Sequence, residues 1–211
     1  EGKQFKLTDL PMLPSAIPPE SLFEETSWDA LNELLPDFLV RCDYYNPMKQ
    51  ISNVFIQNTF QMGTRDRKIW IVFVQVESRT EPMEVITIPL TWIQEDEVER
   101  LSRPLGQCGL ARTKDISHPL LVMAFAVPSC CLALLEAMLT NQSGKSGTQE
   151  VVALTVCQQD SCPLPSESIP ITLRRSERNN TTIRYGEQYI LKAFRRLEEG
   201  VNPALEVSRY L

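Results

Sequence analysis

The sequence lacks any apolar run of the roughly 18 to 20 residues that a membrane-spanning helix needs. Residues 1–7 also lack the apolar stretch and cleavage site of a signal peptide. With six cysteines in 211 residues, the chain has too few for a disulfide scaffold. We therefore expect a cytoplasmic chain that is not bound to a membrane and keeps its cysteines as thiols.

Two further classes of site are disfavoured by what is missing. Cys157 and Cys162 are separated by four residues, but no second Cys/His pair completes a tetrahedral zinc site, so no metal is expected. The net charge is −6, and no long basic stripe is interleaved with aromatic residues, which argues against nucleic-acid binding. Residues 172–211 differ from the rest, with eight Lys/Arg against five Glu. This local excess of positive charge is compatible with a phosphate-binding surface in that segment.

The first hundred residues predict a linker followed by an α+β unit. Four prolines before residue 20 forbid a helix, so residues 1–24 are interpreted as an extended linker. A capping-box pattern from Thr26 to Asp29 and an apolar stripe from Trp28 to Leu39 predict a helix in two pieces, divided near Pro36. Strands are predicted at 51–61, 68–77 and 83–92, and the helix stripe should pack on them. The acidic run at 95–97 marks the expected end of this unit, residues 25–100.

The remaining residues, 101–211, predict a β-rich second unit. A strand at 119–126 is followed by a helix at 128–140, a polar loop at 141–148 and strands at 150–157, 170–175, 180–185 and 188–194. The last two strands read as a hairpin around Gly186. Asn202 and Pro203 begin a helix that has only nine residues after its cap, so we expect a fragment.

Lys192 is the residue that most needs an explanation, because strand alternation places it on the same face as Ile190 and Phe194. One interpretation is an edge-strand lysine whose ammonium group reaches water. The other is a lysine held over nucleotide phosphates and braced by a carboxylate on the next helix, for which Glu206 is available. The preceding polar segment, residues 176–182, offers short side chains and free amides but no glycine, so taken alone it is an ordinary turn.

The segment from Ser176 to Leu211 resembles the ATP-binding lobe of bacterial maltokinases. It contains Leu191-Lys-Ala-Phe-Arg-Arg-Leu-Glu198 and then Asn202-Pro-Ala-Leu-Glu206, in the order and spacing of the family pattern. Upstream, Leu35-Pro-Asp-Phe-Leu-Val-Arg41 and the aromatic pair Tyr44-Tyr45 resemble the family's N-terminal cap. The resemblance spans roughly residues 25–211.

The resemblance implies a cystatin-like cap over residues 25–100, followed by an intermediate domain and the start of a kinase-like nucleotide lobe. It implies that ATP and Mg²⁺ serve the full-length protein, which phosphorylates maltose to maltose 1-phosphate, often fused behind a trehalose synthase of the α-amylase superfamily. Residues expected to contact the nucleotide are Asn179, Asn180, Thr181, Thr182, Lys192 and Glu206. The family's catalytic and metal-binding aspartates lie in a C-terminal lobe, so these 211 residues alone should be inactive and need no cofactor.

A second interpretation belongs to another functional class. In it the chain is a non-catalytic interaction module that orients a fused trehalose synthase, and the nucleotide loop has decayed. Lys192 and Glu206 favour a working nucleotide site, whereas the unusual loop and cap sequences favour the module.

Overall fold

The computed structural model describes residues 5–14, 17–45, 50–114, 119–146, 149–152, 169–174, 180–197 and 200. The described strands form antiparallel sheets accompanied by a few helices, which confirms the predicted α+β class. A large sheet has the order β1-β2-β3-β5-β4 with β11 paired to β3, a small sheet has the order β10-β9-β8, and β6 pairs with β7. The strands are β1 (Ile51–Gly63), β2 (Lys68–Ser78), β3 (Glu84–Ile93), β4 (Gly109–Arg112), β5 (Leu120–Met123), β6 (Ser143–Ser146), β7 (Gln149–Val152), β8 (Ile171–Arg174), β9 (Asn180–Tyr185), β10 (Tyr189–Phe194) and β11 (Arg196–Leu197).

The described helices are α1 (Trp28–Asn32), α2 (Leu35–Arg41), α3 (Leu105–Cys108) and α4 (Pro128–Leu139). The prediction of two helical pieces is confirmed, and Pro36 lies in the first turn of α2, where its missing amide costs no hydrogen bond. The capping box predicted from Thr26 is not formed. Instead a short 3-10 helix covers Glu25–Ser27, and Ser27 precedes α1 without a side-chain cap. None of the helices in the described ranges is long and apolar enough to span a bilayer.

The apolar side of α1 and α2 packs into the main core as the sequence predicts. Leu31, Leu35 and Phe38 are fully buried in one cluster with Val54 and Ile88, whereas Trp28 is half-buried. Asn32 also accepts a 2.9 Å hydrogen bond from the Ile56 amide, which fixes α1 to β1.

Ile69 and Ile71 belong to a strand on which the helix stripe is predicted to pack, but the register places them away from the helices. Both alternate with Trp70, which stacks on Phe23 at 4.4 Å between ring centroids, so they lie on the other face of β2. Ile71 packs there with Met62 and Ala137. A strand that is apolar on both faces gives no sequence signal for which face meets which helix.

The large sheet continues across the domain boundary expected near residue 100. A 3-10 helix at Glu95–Arg100 follows β3, and β5 then pairs with β3 through Leu90 opposite Met123. The acidic run is therefore a connection between strands of one sheet. Strand β4 was not predicted, because its four residues are too few to show the alternation of apolar and polar side chains that indicates a strand.

The described part of the predicted linker, within residues 1–24, packs against this sheet. Leu10, Leu13 and Leu22 are buried, and Met12 forms a parallel bridge with Arg112. The indole N–H of Trp92 donates to the Pro19 carbonyl at 3.0 Å. The described part of this segment contains no α-helix, but it is not extended throughout, because short 3-10 helices cover Leu7–Asp9 and Ser21–Phe23. The prolines also do not prevent the leucines between them from joining the core.

Helix α4 lies close to its predicted bounds, and its vicinal Cys130 and Cys131 are buried as small apolar residues. The Tyr185 hydroxyl donates a 2.7 Å hydrogen bond to the Cys131 carbonyl, which attaches the small sheet to this helix.

The loop predicted at 141–148 is instead partly strand, because β6 pairs with β7 in a hairpin. Strands β8, β9 and β10 match their predictions, and Gly186 has the positive φ of 52° that the hairpin turn requires.

The two main sheets are joined by a single residue. Strand β10 ends at Phe194 and β11 begins at Arg196, where the chain pairs with β3 through Arg196 opposite Ile86. Thr87 of β3 reinforces the junction, because its amide donates to the Arg195 carbonyl and its hydroxyl to the Phe194 carbonyl, both at 2.8 Å.

An ion pair between Arg67 and Glu97 leads to a pH-dependent prediction. Burial raises the pKa of Glu97, but hydrogen bonds from Arg67 and the Gln94 amide outweigh it and bring the pKa below 4.5. The pair therefore stabilises the fold above the unfolded-state pKa and is lost as the pH falls through the folded-state value. We expect Glu97→Gln to be less stable than the wild type in urea near neutral pH, with the difference shrinking below about pH 4.

The matched control is Glu99→Gln, which removes a carboxylate of the same 3-10 helix that is exposed. Its stability should follow that of the wild type across the same pH range. A Glu97→Gln deficit that stays constant down to about pH 3 would assign the loss to packing and not to the ion pair.

Candidate functional site

The outer face of the small sheet carries three cations in two rows. Directly paired residues of antiparallel strands project from the same face. The register places Lys192 opposite Thr182 and Thr182 opposite Arg174, which forms one row across three strands. The adjacent row consists of Ile190, Arg184 and Thr172. We call these six residues the cationic face.

The other side of the small sheet fixes which way the cationic face points. Ile183 and Tyr185 are completely buried and Leu191 is buried in the main core, and these residues alternate with those of the cationic face. The hydrogen bond from Tyr185 to α4 holds that side inward. The cationic face must therefore look away from the core.

Lys192 is exposed on this face, and in the described part of the chain it makes no hydrogen bond or ion pair. Ile190 beside it is 66% exposed. Arg184 is more restrained, because its Nε donates to the Gly186 carbonyl at 2.8 Å and its Nη2 lies 3.5 Å from Glu187. Lys192 thus lies exposed on β10, an edge strand of the small sheet, as the first sequence interpretation expects. An exposed ammonium group is also what the second interpretation, a lysine over nucleotide phosphates, requires.

The predicted polar contacts divide between the two faces. Thr182 lies beside Lys192 and is 6% exposed, and its buried hydroxyl oxygen has no hydrogen-bond partner among the described residues. Thr181 points to the opposite face, where its hydroxyl accepts a 3.1 Å hydrogen bond from Arg195 Nε. Asn180 is half-buried at the start of β9, opposite Phe194. Lys192, Thr182 and Asn180 are therefore brought together, and Thr181 is separated from them.

Two predicted site residues, Asn179 and Glu206, lie outside the described residues, as do His118, Cys157 and Cys162. The predicted approach of Lys192 to Glu206 is consequently still a prediction. Among the described residues no group of three or more His, Cys, Asp or Glu side chains is placed to hold a metal.

The sequence analysis did not identify Arg174 and Arg184 as members of the site. A signal was available, because fixing the hairpin turn at Gly186 sets the pairing of β9 with β10 and places Arg184 opposite Ile190. The described side chains of the cationic face are cations, threonines and one isoleucine. They can bind an anion through charge and hydroxyl donors, but they offer no group that could act as a general base near neutral pH.

No family model matches the chain, and no curated protein matches it.

Proposed function

We propose that the chain is the N-terminal part of a maltokinase-like protein, which transfers a phosphoryl group from ATP to maltose. In this proposal the cationic face meets the ATP phosphates, and a further lobe supplies the Mg²⁺ ligands, the catalytic aspartate and the maltose site. The helices and first strands would form the cystatin-like cap. The observation that carries the proposal is the row Lys192, Thr182 and Arg174, in which the two cations are exposed and Thr182 is buried between them.

The topology of the small sheet supports a kinase-like lobe. In protein kinases a loop between the first two strands covers the phosphates, and a lysine on the third strand contacts them. Here a polar segment connects β8 to β9, and Lys192 lies on β10, the third strand of the same antiparallel meander. The absence of glycine from residues 175–179 means that phosphate contacts would depend more on side chains than in a glycine-rich loop.

The charge and dimensions of the row also suit a phosphate chain. Neighbouring strands lie about 4.8 Å apart, so Lys192 and Arg174 are about two strand spacings, or roughly 10 Å, from each other. Thr182 lies between them, but its hydroxyl oxygen is buried, so the phosphate contacts would come from the two cations. Cations at both ends of such a row can contact different phosphate groups of one ligand.

A titration of the chain with MgATP, followed through backbone amide chemical shifts, tests the proposal. We expect saturable changes centred on β9 and β10. Lys192→Ala should weaken binding roughly tenfold or more, because a hydrogen bond to a charged group contributes about 1.5–3 kcal/mol.

Lys114→Ala is the matched control, because it removes an exposed lysine at the end of β4, outside the cationic face. Its affinity for MgATP should equal that of the wild type. If Lys192→Ala binds as tightly as this control, or if MgATP perturbs only other strands, the nucleotide assignment fails.

The alternative, an interaction module that orients a fused trehalose synthase, is favoured by one observation. The described part of the predicted linker, residues 1–24, is fixed to the sheet by the bridge between Met12 and Arg112 and by the hydrogen bond from the Trp92 indole to the Pro19 carbonyl. A linker held in this way would set the orientation of a domain fused in front of it. The same titration separates the two functions, since the module predicts no saturable response to MgATP.

A further inference from the structure

Arg195, the residue that joins the two sheets, is a buried cation with an unusual set of partners. It is only 7% exposed. Its Nε donates to Thr181 Oγ1 and its Nη1 to the Asp43 carbonyl, each at 3.1 Å, and its guanidinium lies 4.5 Å from the centroid of the Tyr44 ring. These contacts orient the group, but none of them carries a negative charge.

No carboxylate of the described chain lies within ion-pair distance of Arg195, whereas Arg41, Arg67, Arg184 and Arg196 each have one. Two of its five N–H donors are used in the hydrogen bonds to Thr181 and Asp43. A guanidinium buried without a counter-charge is costly, and its remaining donors favour an anionic acceptor.

Arg195 opens onto a cleft with a volume of about 240 Å³. Its described lining residues are Arg41, Cys42, Asp43, Arg103, Gln107 and Arg195. Three of these described residues are arginines and one, Asp43, carries a carboxylate, while Arg41 is also ion-paired with Asp37 at 3.2 Å. Guanidinium groups therefore still outnumber carboxylates among the described groups at this cleft. We call this the arginine cleft.

The Cys42 thiol adds no negative charge to the arginine cleft. Burial raises the pKa of the Cys42 thiol to about 12, and although Arg195, Arg41 and Arg103 each act to lower it, the thiol stays neutral. Arg41 is held in place by bonds from its Nη1 to the carbonyls of Gly106 and Gly109, at 2.8 and 2.9 Å. Asp43 is held at a left-handed φ of 60°, a conformation costly for most residues and tolerated by aspartate.

We propose that the arginine cleft binds a small oxyanion, either inorganic phosphate or the phosphate group of a phosphomonoester. Planar guanidinium groups match the oxygen geometry of phosphate and can donate two bonds each. Arg195 has no carboxylate partner among the described residues, which favours an anionic ligand, and a volume of about 240 Å³ is below the 300 Å³ at which pockets for drug-sized ligands begin.

This site is separate from the cationic face. Arg195 binds Thr181, which projects from the side of β9 opposite to Thr182 and Lys192. An anion in the arginine cleft would lie between the end of α2 and the junction of the two sheets, where Asp43 and Arg195 already meet. Its occupancy therefore does not depend on whether the cationic face binds ATP.

The test is a titration of the 211-residue chain with inorganic phosphate, with a hexose monophosphate and with chloride at matched ionic strength, followed by arginine side-chain and amide chemical shifts. We expect saturable changes at Arg195, Arg103 and Cys42 with both phosphates and none with chloride. Arg103→Gln should weaken phosphate binding roughly tenfold, because a charge-assisted donor is lost. Equal affinities for the two ligands would assign recognition to the phosphate group alone, and a tighter hexose monophosphate would assign a phosphomonoester.

Two further variants keep the result decisive. Arg100→Gln removes the same charge from an exposed position outside the cleft and should change the affinity less than twofold, about the scale of a screened distant charge. If Arg103→Gln loses amide dispersion and is unfolded, Gln107→Ala removes an exposed cleft donor and should weaken phosphate binding about threefold. The proposal is overturned if chloride produces the same shifts, if phosphate produces none, or if Arg100→Gln weakens binding as much as a cleft variant does.

Discussion

Replacing Phe38 with alanine should lower the free energy of unfolding by about 3–5 kcal/mol, the range observed when a large buried aromatic side chain is truncated. Phe38 is 0% exposed and lies in the cluster that joins α2 to the large sheet. The strands that α2 contacts, β1 and β4, are each held in the large sheet by pairing with a neighbouring strand, which limits how far they can collapse into the cavity. Urea unfolding monitored by tryptophan fluorescence measures the change directly.

Val40→Ala is the control on the same helix. Val40 is 39% exposed, and alanine has the higher helix propensity, so this variant should change stability by less than about 0.5 kcal/mol. Similar losses in the two variants would show that α2 is not anchored through Phe38. The stability of the helix-on-sheet unit would then have to come from other contacts.

Lys192→Ala should reduce phosphorylation of maltose by at least about 100-fold in a protein that carries the proposed catalytic lobe, the scale observed when one group that stabilises transition-state charge is removed. The melting temperature should hardly change, because the Lys192 side chain is exposed and makes no described contact that the fold needs. Steady-state kinetics and thermal unfolding on the same preparation provide both measurements. This outcome depends on the proposed function.

Lys114→Ala again serves as the matched variant and should retain full turnover. If Lys192→Ala also retains turnover, Lys192 is not at the nucleotide. A parallel loss of turnover and melting temperature would instead indicate that the substitution disturbs β10.

Much of the fold could be predicted from sequence because its longer elements have clear periodicity. The apolar stripe from Trp28 to Phe38, the three long strands β1 to β3 and helix α4 all carry enough repeats to reveal their type. Pro36 and Gly186 marked a helix start and a hairpin turn because each residue favours a particular backbone conformation.

The missed features depend on contacts between distant parts of the chain. Strand β4 is too short for periodicity, and it exists because it pairs with β5. The polar residues of β6 resemble a loop, but β6 pairs with β7, which overlaps the strand predicted at 150–157, and packs beside β1. The face of β2 that meets the helices has no local signal either, because both faces are covered by apolar side chains.

For the candidate sites, local pattern identified Lys192 and its neighbour Thr182 but not the arginine cleft. Arg195 lies beside Arg196 in an ordinary basic run, and nothing local distinguishes them. The burial of Arg195 arises from its contact with Asp43, 152 residues earlier in the chain. Such a pairing cannot be read from periodicity or spacing within one segment.

The single-residue crossover at Arg195 also limits how the protein can move. Phe194 ends in the small sheet, Arg196 is already paired in the large one, and Thr87 bonds to both carbonyls between them. A hinge needs a few residues whose dihedral angles can change freely, and this junction provides none. Tilting the small sheet would pull directly on β3, so a push on the cationic face should be transmitted to the centre of the large sheet and not absorbed where the sheets meet.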